Sequence, residues 1–132
     1  MTHRLPVRVY YEDTDMGGIV YYANYLKYIE RARSELVEDL GLDQKRMKDE
    51  DGIVFVVRRV EADYLAPARL DDRLEVVTTH RHEGRSRWVF DQEVQRDGQV
   101  IFRAVVTALC MTLAGRPTRL PAELRSKLDG NP

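Results

Sequence analysis

Apolar positions recur along this chain at two different spacings. Leu5, Val7, Val9 and Tyr11 alternate with polar or small residues, which predicts a half-buried strand. Between Tyr22 and Leu40 the spacing changes: Tyr22, Tyr25, Leu26, Ile29, Ala32, Leu36, Val37 and Leu40 fall on one broad helical stripe, and Gly41 supplies a C-terminal stop. The charged stretch from Leu42 to Asp51 predicts a short second helix that Asp43 caps, or an irregular lid. Strand character then returns over Ile53 to Leu65, Leu70 to Arg81, Arg87 to Arg96 and Gln99 to Leu113, with Asp97-Gly98 as a hairpin turn. The last of these strands reads as central. Val100, Phe102, Ala104, Val106, Ala108 and Cys110 make one face apolar, while Ile101, Val105, Leu109 and Met111 add apolar character to the other, relieved by Arg103 and Thr107. Pro121 opens a predicted C-terminal helix docked by Leu124 and Leu128.

An antiparallel sheet must cover its apolar face, and the only long amphipathic element available is the helix from Tyr22 to Leu40. The expected class is therefore α+β, one domain over residues 1–132, with no internal repeat or linker. With 21 basic and 22 acidic residues the net charge is −1, so nothing global draws the chain to nucleic acid or to anionic lipid. Cys110 has no second cysteine to pair with, and its apolar neighbours predict a buried thiol, compatible with a reducing compartment. The opening Met1 to Pro6 lacks a signal-peptide core, and no apolar run is long enough to span a bilayer. A soluble, cytoplasmic protein is expected.

Candidate chemistry concentrates between Tyr11 and Tyr25, where a strand ends in acids and glycines and a helix begins. The first N–H groups of a helix lack internal partners and carry partial positive charge, so they can hold a developing oxyanion while a nearby carboxylate attacks. The competing reading is local: Asp13, Thr14 and Asp15 form a turn or cap the coming helix. Gly17 and Gly18 fit a tight turn as well as a close ligand approach, and Asn24 fits a helix cap better than a substrate contact. Glu30, Arg31 and Arg33 read as a solvated or interfacial ion-pair set. Other chemistries lack their marks. There is no Gly-x-Ser-x-Gly elbow and no Gly-rich nucleotide loop. His80 and His82 share a strand face without the partners of a metal site and read as surface histidines. No cofactor or metal is expected.

The segments Tyr11-Glu12-Asp13-Thr14-Asp15, Gly17 to Tyr21 and Asn24 to Arg33 together resemble the opening signature of the hotdog-fold acyl-CoA thioesterases. Two branches are involved, the 4-hydroxybenzoyl-CoA thioesterases and the branch associated with the Tol-Pal cell-envelope system. Val56 to Arg59 and Tyr64 to Asp72 resemble the second, and the likeness covers residues 5–113. It implies the hotdog fold, an antiparallel sheet wrapped around one long central helix, and hydrolysis of an acyl-CoA to free acid and coenzyme A.

By the same resemblance Asp15 is the catalytic carboxylate, as nucleophile or general base, and the backbone N–H of Tyr22 polarises the thioester carbonyl. Gly18, Ile19, Val20, Tyr64 and Pro67 become candidates for the substrate pocket, formed between protomers of a homodimer or homotetramer. Coenzyme A is a polyanion, so Arg58, Arg59, Arg85, Ser86 and Arg87 are candidates for its nucleotide end. Tol-Pal-associated members commonly carry His where this chain has Tyr22; a phenol is a poor base at neutral pH, which shifts proton handling to Asp15. A hotdog dehydratase is disfavoured, since no His lies between His3 and His80. The alternative is a binding module for acyl carrier protein or an envelope partner, in which turnover is incidental.

Overall fold

The computed structural model describes residues 2–128. β1 (His3–Arg8) leads through a 3-10 turn at Tyr11–Asp13 and a tight loop into α1 (Asn24–Asp39). α2 (Gln44–Arg46) runs on into a π-type turn at Met47–Asp51. β2 (Ile53–Tyr64), β3 (Arg73–Glu83), β4 (Arg87–Arg96), β5 (Gln99–Thr112) and α3 (Ala122–Leu128) follow. All strands pair antiparallel in one sheet of order β1-β3-β4-β5-β2. α1 lies across one face and buries Tyr25, Tyr28, Ile29, Ala32, Leu36 and Val37 against Val76, Trp88, Phe90, Val94 and Phe102. The hotdog arrangement expected from the resemblance is present.

Several expectations need adjustment. β1 ends at Arg8, and Tyr11 belongs to the 3-10 turn and is 82 % exposed, because Val9 is the last residue whose side chain reaches the core. α1 starts at Asn24 and leaves Tyr22 outside the buried stripe. β3 begins at Arg73 rather than Leu70: Asp71 adopts a left-handed φ of 70°, which ends extended structure there. β4, not β5, is the middle strand. β5 still has neighbours on both sides, β4 and the long β2, and buries Phe102, Ala104, Val106, Ala108 and Cys110 on one face and Ile101 and Leu109 on the other. The Asp97-Gly98 hairpin holds, with φ of 52° and 80° as a two-residue turn of this hand requires. Asp43 caps α2 by accepting from the Arg46 N–H at 2.9 Å. In α3, Leu124 is fully buried and Leu128 packs against the core.

β2 carries a β-bulge between Val57 and Arg59, so Arg58 has no partner residue on β5. The buried Gln92 of β4 ties helix to sheet: its amide donates to the Ile29 carbonyl at 2.9 Å and to Thr78 Oγ1 at 3.0 Å, while its oxygen accepts from Arg33 at 3.0 Å. Arg33 therefore departs from the expected ion-pair set. It is half-buried over the Phe90 ring, burial holds its pKa below the ordinary value, and the Glu30 carboxylate accepts instead from Ser34 at 2.7 Å. His80 is a second correction, since it is half-buried and its Nδ1 accepts from the Trp88 indole at 3.1 Å.

Cys110 is buried as expected, and burial lifts its thiol from an ordinary value of 9.0 to about 11. A thiol whose native pKa is raised stabilises the fold fully below its unfolded pKa and loses that contribution as pH rises through the native one. Thermal melts should therefore weaken between pH about 9 and about 11 in wild type and weaken less in Cys110→Ala. Equal slopes in the two proteins would refute the assignment.

Candidate active site

The loop that joins β1 to α1 is built by its own backbone. The Asp15 N–H donates to the Ile19 carbonyl and the Gly18 N–H to the Asp15 carbonyl, each at 3.0 Å, and Thr14 bridges Val20. The turn needs both glycines for separate reasons. Gly18 sits at φ 77°, where a side chain is strained, and a Cβ on Gly17 would lie 3.2 Å from Asp15 Oδ1. That oxygen accepts from the Gly17 N–H at 2.9 Å. The other carboxylate oxygen has no protein hydrogen bond among the described residues, and Asp15 is exposed.

Asp13 is committed differently. Its carboxylate accepts from the Tyr10 N–H at 2.9 Å and closes the 3-10 turn, while its carbonyl accepts from the Tyr21 N–H and from Asn24 Nδ2, both at 2.9 Å. Asn24 is thus the first helical residue, and its side chain fastens the helix start to the strand end instead of capping. Burial first, and then the charge of Asp13, hold the Tyr28 phenol above its ordinary pKa. Each carboxylate accepts one backbone N–H, and the two acids differ in that Asp15 is exposed whereas Asp13 is half-buried with its carbonyl tied to the helix start.

At the helix entrance the Asn24 N–H donates to the Tyr21 carbonyl at 2.9 Å, which fixes the Tyr21–Tyr22 peptide. In a trans peptide the N–H points opposite to the carbonyl. The Tyr22 N–H is therefore directed out of the helix start, and among the described residues neither it nor the Ala23 N–H has a backbone acceptor. The Tyr22 ring is 62 % exposed and stands edge-on to Tyr21 and to Tyr64 at the end of β2.

The other candidates fall in two groups. Gly18, Ile19 and Val20 belong to the Asp15 loop, Ile19 bridging Arg69 and the Val20 N–H donating to the Ala68 carbonyl at 2.8 Å. Ala68 in turn donates to the Tyr25 hydroxyl at 3.2 Å, and the neighbouring Pro67 carbonyl accepts from Arg96 at 2.8 Å. Tyr64 packs between Tyr22, Tyr25 and Phe102, so it and Pro67 lie at the same end of the molecule as Asp15. The basic candidates are elsewhere. Arg58, Arg85, Ser86 and Arg87 line a cleft of about 480 Å3 beside the β3–β4 hairpin. Arg58 is six residues up β2 from Tyr64, about 20 Å at the rise of a strand. Arg59 does not join the cleft and pairs with Glu61 at 3.4 Å.

Sequence reasoning missed a cavity of about 200 Å3 between α1 and the sheet, with Phe55, Val57, Trp88 and Phe90 among its walls and Arg33 at its edge. It is assembled from α1, α2, β2, β4 and β5, and no local pattern marks it. No group of acids, histidines and cysteines suited to a metal ion occurs among the described residues, and no helix there is long and apolar enough to cross a membrane.

Comparison with known proteins gives the family of the chain. Residues 9–128 match the model of the thioesterase-like superfamily. The acyl-CoA thioester hydrolase YbgC of Escherichia coli O6:H1 is 41 % identical over 123 residues, covering 92 % of this chain and 91 % of that protein. The acyl-CoA thioesterase YbgC of Haemophilus influenzae is 38 % identical over 122 residues, covering 92 % and 90 %. Among solved structures, a probable thioesterase from Bartonella henselae superimposes with a TM-score of 0.85 at 32 % identity, over 92 % of this chain and all of that one, 100 %. The chain belongs to the thioesterase-like superfamily and carries its hotdog fold.

Proposed function

We propose that the protein hydrolyses acyl-CoA thioesters to free acid and coenzyme A, with Asp15 as the reacting carboxylate and the Tyr22 N–H as donor to the thioester oxygen. The observation that carries this reading is an exposed carboxylate, one oxygen of which has no protein hydrogen bond among the described residues, in the loop that leads to a helix entrance whose Tyr22 N–H has no backbone acceptor among them. Two routes fit. As nucleophile, an Asp15 oxygen adds to the carbonyl carbon, the C–S bond breaks, the thiolate takes a proton, and water cleaves the resulting anhydride. As general base, Asp15 takes a proton from water while the oxygen of that water adds, and the proton passes to the departing sulfur. In both, the carbonyl oxygen becomes negative beside the helix entrance, where N–H donors stabilise it most.

Gly18, Ile19, Val20, Tyr64 and Pro67 surround the thioester in this reading. Arg58, Arg85, Ser86 and Arg87 hold the nucleotide end, which the long pantetheine arm of coenzyme A keeps well away from the reacting carbon. β2 is an edge strand of 12 residues with Val56, Val57, Val60 and Tyr64 exposed, and so long an apolar edge calls for a partner strand. A second copy of the chain is that partner, giving a homodimer or a dimer of dimers. Tyr22 in the position where related chains commonly carry His favours one other reading, a module that grips acyl carrier protein with little turnover.

Coenzyme A release should be measured over short-chain, long-chain and aromatic acyl-CoAs, with light scattering on the same sample. Selective turnover by an assembly of two or four chains is expected. Stable capture of acyl carrier protein without release of coenzyme A would replace this reading with the second.

A further inference from the structure

The Tyr64 hydroxyl donates to the Tyr22 carbonyl at 3.0 Å, across 42 residues of sequence. That carbonyl belongs to the Tyr22–Ala23 peptide, which lies outside the helical ladder: the Leu26 N–H turns to the Ala23 carbonyl at 3.2 Å, and the Asn24 N–H to that of Tyr21 at 2.9 Å. Of the two peptides that flank Tyr22, the first is held by backbone and the second by this one phenol. Because carbonyl and N–H oppose each other across a trans peptide, a hydroxyl that fixes the Tyr22 carbonyl also aims the Ala23 N–H, which has no backbone acceptor of its own among the described residues. The phenol is well placed for this. Its ring is braced edge-on by Tyr22, Tyr25 and Phe102, with centroids 6.2, 5.5 and 4.9 Å away, and burial, followed by the neighbouring Tyr22, raises its pKa and keeps it a donor.

We infer that Tyr64 is a positioning residue, whose hydroxyl locks the Tyr22–Ala23 peptide so that the Ala23 N–H stands beside that of Tyr22 as a second donor to the developing oxyanion. This rests on the thioesterase reading above but assigns Tyr64 a part other than contact with the acyl group. Donors that are already aimed need no reorganisation as charge develops, and that is the source of their effect on rate.

The test is Tyr64→Phe, which deletes only the oxygen and keeps the ring. With the acyl-CoA turned over best by wild type, kcat should fall roughly tenfold, the worth of one neutral hydrogen bond, at unchanged KM. Replacement of Tyr64 by 4-aminophenylalanine, which returns a donor to the same place, should recover most of the loss. In Tyr64→Phe the Ala23 amide should also exchange with solvent faster, while the Ile29 amide in the middle of α1 should not. Wild-type kcat in Tyr64→Phe, or a raised KM at unchanged kcat, would overturn the assignment. If wild type cleaved no thioester the thioesterase reading would fall separately, and unchanged Ala23 exchange in Tyr64→Phe would then overturn this one.

Discussion

Asp15→Asn should lower kcat for acyl-CoA hydrolysis by about 10²- to 10⁴-fold, the range lost when a positioned acid or base is removed, with KM little changed. The substitution is nearly isosteric. An amide oxygen can still accept from the Gly17 N–H that Asp15 Oδ1 now holds at 2.9 Å, so the loop keeps its shape and only the charge disappears. Asp13→Asn is the control that separates chemistry from architecture. Its amide oxygen still accepts from the Tyr10 N–H, and its carbonyl still receives Tyr21 and Asn24. Rate in that variant should stay within a few-fold of wild type while stability drops by about 1 kcal/mol for the weakened charge-assisted bond. Measured kcat values that fell equally in both variants would mean that the loop tolerates neither change, and the assignment to Asp15 alone would be lost.

Phe102→Ala should cost about 3–5 kcal/mol in urea denaturation, the usual range for emptying a fully buried aromatic site. Phe102 lies under both tyrosines that organise the helix entrance. Its ring stacks on Tyr25 at 4.9 Å and 16°, and meets Tyr64 at 4.9 Å and 67°. Tyr25 holds the Ala68 N–H, to whose carbonyl the Asp15 loop is bonded through Val20, and Tyr64 holds the Tyr22 carbonyl. Protein that remains folded should therefore also lose kcat, by more than Tyr64→Phe alone. Phe102→Leu, which refills most of the volume, should recover the larger part of the stability and less of the rate. A fall in stability with no change in kcat would show that the two tyrosines keep their places without this support.

The regular elements were legible because their signals are local. Period-two alternation marked the strands, the stripe from Tyr25 to Val37 marked the helix, and Asp97-Gly98 marked a turn whose two residues both need positive φ. Asp15 is proposed only through a longer resemblance, since spacing alone favours a turn or cap for Asp13 to Asp15 over a site. What distinguishes the two acids is exposure, together with the Asp13 carbonyl, which Tyr21 and Asn24 tie to the helix start. The placement of Arg33 was missed for a similar reason. Its helix partners suggested an ion pair, but its contact is Gln92, 59 residues away. Tyr22 misled in the opposite sense: an aromatic at helical spacing reads as core, yet the helix begins two residues later and leaves it at the surface.

The odd residue at Arg58 decides which way the end of β2 looks. Before it Phe55 and Val57 stand opposite Cys110 and Ala108; after it Val60, Ala62 and Tyr64 stand opposite Val106, Ala104 and Phe102, so odd positions and then even positions point toward α1. In an unbroken strand Phe55 and Tyr64, nine apart, would face opposite sides. Loss of Arg58 itself would leave Phe55 and Tyr64 eight positions apart on the same side, whereas a flattened bulge that kept Arg58 in the ladder would turn Tyr64 to the far side of the sheet, while Asp15, Gly17, Gly18 and the helix entrance stayed in place. The bulge in β2, with no change in any residue of the loop, thus governs whether the entrance to α1 has its phenol.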